Sequence, residues 1–559
     1  MASTSIRARN MAAAISIALA AHGLQAATIT VDSADDDPAS MACNLRSALK
    51  AVNDGSTLAV PVCSAAVSGD SFGTNDSIVL SGLSPITLTQ GALMVTASSV
   101  TIDGGTIPTA TRPSSTGYYV VNQVIDAAGG SRVMSVADGA TISANALTLT
   151  GGQATGNGGG VSIGVGATAV FNGCSISSNT ATADGGAIYA APSSTLTLVD
   201  STVTQNSSRV GGALLAKDGV VAVTNTSIVA NTAAYAGGIG MASGALTLDA
   251  AYIVANEGGG VVQINGTLSA TNSRVAANTG GAGGGILLSG VTGTITKSTI
   301  NGNTANCDSL CAGAIVLGSS TVVVRDSTLS GNLAAGHTNY ITGGVTVADS
   351  AATFVNSTIS GNVGVGDRYI SGAFREVHYA YGSGNGLTLI NSTVTNNTAV
   401  AIYGTAAGGV LLGSLHFSPP ISTHNTLDLR NTILSANVPA DTDVVIDTFN
   451  PSLTVQYSLL GTAQNISAFN DPSSHNVFSD SPGLGPLQYN GGPTKTHAVL
   501  PGSPAVSAGS SALAMFFGQP LEYDQRGPGF VRIFGGAVDV GAFEEQGDQL
   551  FAYGFESKH

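Results

Sequence analysis

The middle of the chain alternates short apolar segments, rich in β-branched residues, with small polar residues, and one phrase recurs within it. The phrase is a small polar residue, an apolar residue, two further residues and an asparagine, as at residues 175–179. Ten asparagines close copies of this phrase: Asn179, Asn206, Asn231, Asn256, Asn278, Asn303, Asn332, Asn362, Asn397 and Asn437. They follow one another at intervals of 22 to 40 residues, with no helical periodicity between them. This repeat predicts a solenoid of stacked strands.

A glycine pair followed by an apolar residue comes after most of these asparagines, as at residues 185–187 and 237–239. Another strand-like segment follows each pair, so one repeat holds three short strands and three turns. This order predicts an all-β fold, a right-handed parallel β-helix. Asparagine and glycine suit its corners because both tolerate left-handed backbone. Stacked asparagine amides can also bond from rung to rung, so we expect the ten asparagines to form a structural ladder.

The composition agrees with one long, weakly charged fold. Glycine accounts for 74 of 559 residues, charged residues for 9% and hydrophobic residues for 43%. This balance predicts one continuous core with caps, and we expect a monomer. The net charge of −15 argues against a nucleic-acid partner, because an acidic surface repels phosphates. No phosphate loop or cofactor fingerprint occurs, so no cofactor is expected.

The first residues predict export. Arg7 and Arg9 precede an apolar run at residues 11–21, and small residues suited to cleavage follow. This arrangement is typical of a signal peptide. The run is too short to span a bilayer, and no later segment is long and apolar enough. We therefore expect an exported protein with no transmembrane span.

Five cysteines are spread along the chain. An odd number in an oxidising compartment leaves at least one without an intramolecular partner. Cys43 with Cys63, and Cys307 with Cys311, are plausible disulfides, because the members of each pair share one region of the chain. Cys174 lies at a strand position, where we expect it to be buried as a small apolar residue. No histidine pair lies near a cysteine at ligand spacing, so no metal site is expected.

The pattern also predicts the ends of the solenoid. Leu45, Ala48, Leu49 and Val52 recur at helical spacing, which predicts a short helix that covers the open end of the core. From residue 438 the prolines become frequent and the asparagine phrase stops. The predicted segments are a signal peptide at 1–26, an N-terminal cap at 27–76, the β-helix at 77–437, an irregular β C-terminal cap at 438–545 and a tail at 546–559.

Two stretches resemble parts of known secreted bacterial proteins. Residues 43–49 read Cys-Asn-Leu-Arg-Ser-Ala-Leu and resemble the Cys-Ser-Leu-Arg-Glu-Ala-Ile motif of CSLREA-domain β-helix proteins, with Asn44 and Ser47 departing from it. Residues 481–544 contain Asn-Gly-Gly-Pro-Thr-Lys-Thr-His, Leu-Pro-Gly-Ser-Pro-Ala and Asp-Gln-Arg-Gly in order and resemble the choice-of-anchor Q region of the same family. The Gly-Gly-Ala-Ile phrase is similar to repeats of polymorphic outer membrane proteins.

These resemblances imply a pectin lyase-like β-helix, secreted by a Gram-negative bacterium or held at its outer-membrane surface. The final Phe-Ala-Tyr-Gly-Phe-Glu is similar to a short tail on exported proteins of such bacteria. Asp524, Arg526 and Asp539 lie inside the C-terminal resemblance. We interpret them as a buried ion pair that locks the C-terminal cap rather than as catalytic groups.

Coils after Asn303 lengthen, and their extra residues, which lie between the asparagine and the glycine pair, are expected to loop out of one edge. The longest such loop, residues 367–381, concentrates charge and aromatic rings in a chain that is poor in both. Its catalytic candidates are Asp367, Arg368, Arg375, Glu376 and His378, and its candidates for stacking on sugars are Tyr369, Tyr379 and Tyr381. Neighbouring loops add His337, Asn339, Tyr340, Tyr403, His416 and His424. A carbohydrate groove is one interpretation, and a solvated loop is the favoured one.

Two functions follow. The first is a non-enzymatic, adhesin-like protein that presents a long polar face to glycans or other cell-surface components. The alternative is a polysaccharide lyase or glycoside hydrolase acting on acidic glycans, an analogy based on the fold alone. That alternative needs a base beside carboxylates. The loop at 367–381, with Arg325 and Asp326 one coil earlier, is the place that offers these groups, and the alternative requires the loop carboxylates and Arg375 to converge on one concave strip.

Overall fold

The chain forms a parallel β-solenoid of about 13 turns, of the right-handed type, so the predicted fold class is confirmed. The computed structural model describes residues 26–80, 82–106, 123–307, 309–377, 386–413, 425–439, 444–447, 451–461 and 469–546. The predicted signal peptide and tail lie almost entirely outside these residues. Within the described part of the chain, no helix is long and apolar enough to cross a membrane.

Each coil contributes one strand to each of three parallel sheets, as in Ile188–Ala190, Thr195–Val199 and Thr202–Thr204. We call these sheets 1, 2 and 3. The strands of sheet 1 are Leu93–Val95, Met134–Val136, Val161–Ile163, Ile188–Ala190, Leu214–Ala216, Ile239–Met241, Ile315–Gly318, Val345–Ala348, Phe374–Val377, Val410–Gly413 and Val444–Asp447. Two long strands, Val261–Thr271 and Ile286–Thr296, run through both sheet 1 and sheet 2.

The other strands complete the sheets. Those of sheet 2 are Ala27–Val31, Asp76–Leu80, Val100–Asp103, Thr141–Asn145, Thr168–Asn172, Thr195–Val199, Gly219–Thr224, Gly244–Asp249, Thr321–Arg325, Ala351–Val355, Gly386–Ile390, Thr426–Arg430 and Ser452–Gln456. Those of sheet 3 are Ile86–Thr87, Gln123–Asp126, Leu147–Thr150, Ser175–Ser177, Thr202–Thr204, Ser227–Val229, Tyr252–Val254, Arg274–Ala276, Thr299–Asn301, Thr328–Ser330, Thr358–Ser360, Thr393–Thr395, Ile433–Leu434, Leu459–Leu460 and Val477–Phe478. Val67–Gly69 pairs antiparallel with Ala27–Val31.

The core consists of inward-facing residues stacked in register. Leu196 lies between Ala169 and Val221, and Leu246 continues the same column. All four side chains are buried. Alternation along each strand sends the intervening Thr and Ser residues outward. Burying one such aliphatic side chain contributes about 1.5–3 kcal/mol, so the solenoid gains most of its stability from these columns.

The predicted asparagine ladder lies at the corner after sheet 3. All ten asparagines are buried. In each step the side-chain oxygen of one asparagine accepts both the backbone N–H and the side-chain NH2 of the asparagine one coil earlier, as Asn231 does from Asn206, at 3.0 and 2.9 Å. The expectation that the asparagines themselves adopt the left-handed backbone was wrong, however. The residue before each asparagine is left-handed, as Gln205 (φ 57°) and Ala230 (φ 55°) show. Asparagine is used here for its amide.

A second ladder, which the sequence reading did not identify, follows the corner between sheets 2 and 3. Its hydroxyls accept the backbone N–H of the preceding coil and donate to the carbonyl two residues earlier in their own coil, as Ser201 does with Cys174 and Val199. Its members are Ser201, Thr226, Ser273, Ser298, Ser327, Ser357, Ser392, Thr432 and Ser458. The residue before each of these members is left-handed, as Asp200 (φ 48°) and Lys297 (φ 50°) show. The two ladders fix the register at two corners.

The N-terminal helix covers the core as predicted. It runs over Leu45–Asp54, begins after Asn44, whose side chain accepts the Ser47 N–H at 2.9 Å, and ends at the left-handed Gly55. Asn44 therefore caps the helix, a role that serine also fills well. The plausible disulfide between Cys43 and Cys63 is present. A 3-10 turn, Pro61–Ala66, follows the helix.

The extra residues of the longer coils leave the solenoid at the predicted edge, but as strands rather than loops. Four short strands stack beside the earlier coils: Gln153–Ala154, Thr180–Ala181, Ser207–Val210 and Thr232–Tyr235. Two stacks beside the later coils form what we call the ridge: Thr279–Gly280, Thr304–Asn306, Leu333–Ala335, Val363–Gly366 and Thr398–Ala401, then Cys311–Ala312, Tyr340–Thr342, Tyr369–Ser371 and Ala406–Ala407. A small apolar cluster holds the ridge together, and it includes the second plausible disulfide, Cys307–Cys311.

The solenoid continues beyond Asn437 to Val477–Phe478. Asp471 caps a 3-10 turn, Pro472–Ser474, near this end, and Phe469 is buried in the main core. Residues 479–546, which we call the C-terminal segment, then run back along sheet 3 with two antiparallel hairpins, Leu484–Gln488 with Thr496–Val499 and Met515–Phe516 with Gln519–Pro520. The segment therefore covers the side of the rod, whereas a cap over its end was predicted.

Hydroxyl and amide groups of the later coils hold the C-terminal segment in place. Thr328 donates to the Lys495 carbonyl at 2.6 Å, and Asn431 exchanges two hydrogen bonds with the Ser510 backbone. The predicted ion pair is buried, with 2.6 Å between Arg526 and Asp524. A second buried pair, Arg532 with Glu544, was not predicted.

Candidate functional site

The described part of the predicted loop, residues 367–377, consists mostly of strands. Phe374–Val377 is a strand of sheet 1, and its two charged residues project to opposite sides. Glu376 is in register with Val347 and Leu412 in an inward column, whereas Arg375 is in register with Thr346 on the outward side. Both are almost completely buried. The strand therefore separates the base from the acid that a lyase or hydrolase site would need.

Glu376 is an acid inside an apolar core. Neither of its carboxyl oxygens makes a well-formed hydrogen bond to a described residue. Burial raises its pKa to about 8, an effect larger than the opposing one of the Leu387 backbone. The group is therefore neutral over most of the physiological range.

Arg375 lies under the ridge. Its guanidinium is 4.5 Å from the ring centre of Tyr340 and 5.8 Å from that of Tyr369, and it donates a hydrogen bond to the Tyr369 carbonyl. The two rings stack on each other at 5.6 Å with an interplanar angle of 10°. Ring faces engaged in this way are poorly placed to stack on a sugar.

The remaining loop candidates that the structure describes do not lie with Arg375 or Glu376. Asp367 lies 3.7 Å from the exposed His337 on the ridge, beside the exposed Arg368. His378, Tyr379 and Tyr381, with His416 and His424 of neighbouring segments, lie outside the described residues. Arg325 and Asp326 face a different side of the rod, at the corner where Asp326 meets the C-terminal segment. In the described part of the chain these groups do not converge on one strip.

A different concave site lies between sheet 3 and the C-terminal segment. We call it the lateral groove; it has a volume of about 600 Å³. Asn301, Ser330 and Ser360 line its floor from three successive strands, in register, and Asn396 extends the floor. Residues 484–487 and His497 form the wall.

His497 and Ser360 meet at the base of this wall. The Ser360 hydroxyl is 2.9 Å from Nε2 of His497, and Nδ1 is 2.6 Å from the Gly485 carbonyl oxygen. A carbonyl only accepts hydrogen bonds, so Nδ1 carries the proton and Nε2 accepts from Ser360. Burial lowers the pKa of His497, which favours this neutral tautomer.

The sequence pattern at this repeat position does not single out the groove. In three coils before the groove the residues in register with Ser360 are Val229, Val254 and Ala276, and in the coils of the groove they are Asn301 and Ser330. The first coils, however, also carry polar residues at this position, namely Thr150, Ser177 and Thr204. The position of His497 could not be read in this way, because it depends on how the C-terminal segment folds back.

Comparison with known protein families finds no family model that matches this chain. Comparison with curated proteins also finds no match. The likenesses to CSLREA-domain, choice-of-anchor Q and polymorphic outer membrane proteins therefore stay predictions. Among the described residues no cluster of His, Cys, Asp and Glu could hold a metal ion.

Proposed function

We propose that this chain is an exported, adhesin-like surface protein that binds neutral glycans in the lateral groove. The observation that carries the proposal is the column of Asn301, Ser330 and Ser360, which repeats a short polar side chain at every rung. Rungs are about 4.8 Å apart, so an extended glycan along the rod meets a new donor or acceptor at regular intervals.

The wall of the groove supports the same ligand class. Leu484, Pro486 and Leu487 can cover the apolar faces of sugar rings while amides and hydroxyls bond their hydroxyl groups. None of the described residues lining the groove is charged. With a net charge of −15 on the whole chain, a polyanionic glycan would be repelled. An acidic-glycan lyase or hydrolase has no comparable support, because Arg375 and Glu376 face opposite ways.

Export is supported by two features of different kinds. The first residues have the pattern of a signal peptide, and the structure contains two disulfides, which persist in oxidising compartments. A secreted or outer-membrane-surface location fits both.

The test is a glycan array followed by titration calorimetry on the mature chain. We expect Ser330→Ala and Asn396→Ala each to weaken binding about 3- to 10-fold, the effect of losing a hydrogen bond of about 0.5–1.5 kcal/mol. Ser177→Ala is the matched control, because Ser177 occupies the same register position in a coil away from the groove. Absence of glycan binding above that of an unrelated rod-shaped protein, or equal affinities for all three variants, would overturn the proposal.

A further inference from the structure

We propose that Ser360 and His497 form a nucleophile and base pair that hydrolyses small, uncharged acyl esters in the lateral groove. This activity goes beyond glycan binding and does not depend on it. Its natural substrate class would be an acyl ester of an alcohol, such as an O-acylated sugar held in the same groove.

The geometry satisfies the first requirement of nucleophilic catalysis by serine. A hydroxyl within about 2.6–3.2 Å of a neutral imidazole nitrogen can transfer its proton as it attacks, and the Ser360–His497 distance is 2.9 Å. The second requirement is a group that holds the imidazole in the productive tautomer. The Gly485 carbonyl does this by accepting from Nδ1, in the place where a carboxylate stands in the familiar triad.

The pair is particular to one position. The ladder serines donate their hydroxyls to backbone carbonyls, as Ser392 does to Ile390. Ser435, near the end of sheet 3, donates to the Ser479 carbonyl at 2.5 Å. Among the hydrogen bonds between described residues, the one from Ser360 is the one that joins a serine hydroxyl to an imidazole. Both members of the pair also border the groove, where 3% of Ser360 and 4% of His497 is exposed, so a bound ester meets only this small exposed edge of the pair.

The reaction balances without any added oxidant, reductant or metal. The Ser360 oxygen forms a bond to the ester carbonyl carbon while its proton passes to Nε2 of His497. The carbon–oxygen bond to the alcohol then breaks, and the alcohol leaves with that proton, so that Ser360 carries the acyl group. Water attacks the acyl-serine, gives its proton to Nε2, and the acid is released as the proton returns to Ser360.

The groove contains polar and apolar side chains of the kinds that the negative oxygen of the intermediate and the acyl group require. Thr395 is in register with Ser360 on the next strand, and the following residue, Asn396, brings an exposed amide to the groove. Leu484 and Leu487 line the same groove and offer apolar contact for an acyl group. We expect slow turnover, because a carbonyl stabilises the imidazolium that forms during reaction less than a carboxylate does.

A fluorophosphonate probe and p-nitrophenyl acetate test the proposal on the whole mature chain. The Ser360 oxygen should bond to phosphorus and displace fluoride, giving one adduct that peptide mapping places on Ser360. Ser360→Ala should carry no adduct and lose esterase activity. His497→Gln should react with the probe at least about 100-fold more slowly, because a general base usually contributes that much to the rate. Ser435→Ala is the matched control, with labelling and hydrolysis unchanged.

Because His497 also supports the C-terminal segment, its variant is checked by circular dichroism and melting. If that variant unfolds, the pH profile of wild-type labelling decides: the rate should rise with deprotonation of the imidazole and then level off. Lack of an adduct on Ser360, a rate that does not change with pH, or a folded His497→Gln that labels at the wild-type rate would overturn the proposal. Neither reagent contains a sugar, so failure here is distinct from failure of glycan binding.

Discussion

The coils before Asn303 and those after it share one framework and differ in what has been added to it. Both halves carry the asparagine ladder, whose amide–amide hydrogen bonds measure 3.0 Å at its first step and 2.9 Å at its last, from Asn179 to Asn437. Both halves carry a stack of short strands at one edge, and the later coils add a second stack there and lie under the C-terminal segment along sheet 3. The repeat therefore builds a uniform rod, and the chemistry lies where the repeat is interrupted or covered.

The first prediction concerns the two kinds of ion pair in these halves. Arg526 and Asp524 form a buried pair in the C-terminal segment, whereas Arg209 pairs with Asp184 on the early coils from a 63% exposed side chain. Arg526→Ala should destabilise the C-terminal segment by about 3–5 kcal/mol, because Asp524 is left buried without its partner. Arg209→Ala should lower the free energy of unfolding by less than about 1 kcal/mol, because an exposed ion pair contributes little.

Hydrogen exchange measures this difference by region. In Arg526→Ala the backbone amides of the C-terminal segment should lose protection while those of the early coils keep theirs. If protection falls equally along the whole rod, the segment is part of a single cooperative unit, and the distinction between framework and cover is wrong.

The second prediction tests whether the ladder contributes equally in both halves. Asn231 in the early half and Asn362 in the late half each accept two hydrogen bonds from the coil before. Replacing either by alanine leaves the backbone N–H of the preceding asparagine buried without its acceptor and removes the amide bonds at that rung, at a cost of about 2–5 kcal/mol. Urea unfolding of both variants should give values within about 1 kcal/mol of each other, with Thr197→Ala, on the outward face of sheet 2, as a near-neutral control. A much smaller loss for Asn362→Ala would mean that the ridge and the C-terminal segment, rather than the ladder, hold the late coils.

The sequence predicted the framework well because its period and corner residues are local features. Asparagine spacing and glycine pairs were enough to place the coils and the ladder. The same method failed at Phe374–Val377, where Gly372 is followed by alanine, whereas Gly343 begins a full glycine pair one coil earlier. The missing second glycine and the charged Arg375 and Glu376 hid a regular strand.

The position of the C-terminal segment depends on contacts between residues that are far apart in the chain. Gln525 bonds to Thr328 across 197 residues, and His497 to Ser360 across 137. No periodicity encodes such contacts, so a cap over the end of the rod was the natural expectation. The groove, which depends on the same contacts, was missed for the same reason.

The third prediction compares two polar residues in one inward column of sheet 1. Its effect, measured per pH unit, is the smallest of the three. Gln263 in the early half and Glu376 in the late half both occupy this column, four coils apart. The pKa of Glu376 is raised to about 8 in the folded state from an ordinary value of 4.5. The folded state therefore holds a proton that the unfolded state has released, so the free energy of unfolding should fall by up to about 1.4 kcal/mol per pH unit as the pH rises between these values.

Glu376→Gln should remove this slope, because an amide does not titrate. Gln263→Glu should add a second slope of the same sign, since that site is buried as completely. Urea unfolding of the wild type and both variants measures both effects. The pH values should run from about 5 to about 9, because this range lies above the unfolded pKa of the carboxyl group and extends past the folded one. An unchanged slope in Glu376→Gln would mean that water or a partner reaches the carboxylate and that the late coils open near sheet 1. If Gln263→Glu nevertheless makes the free energy of unfolding depend more strongly on pH, the early half is the more tightly closed part of the rod.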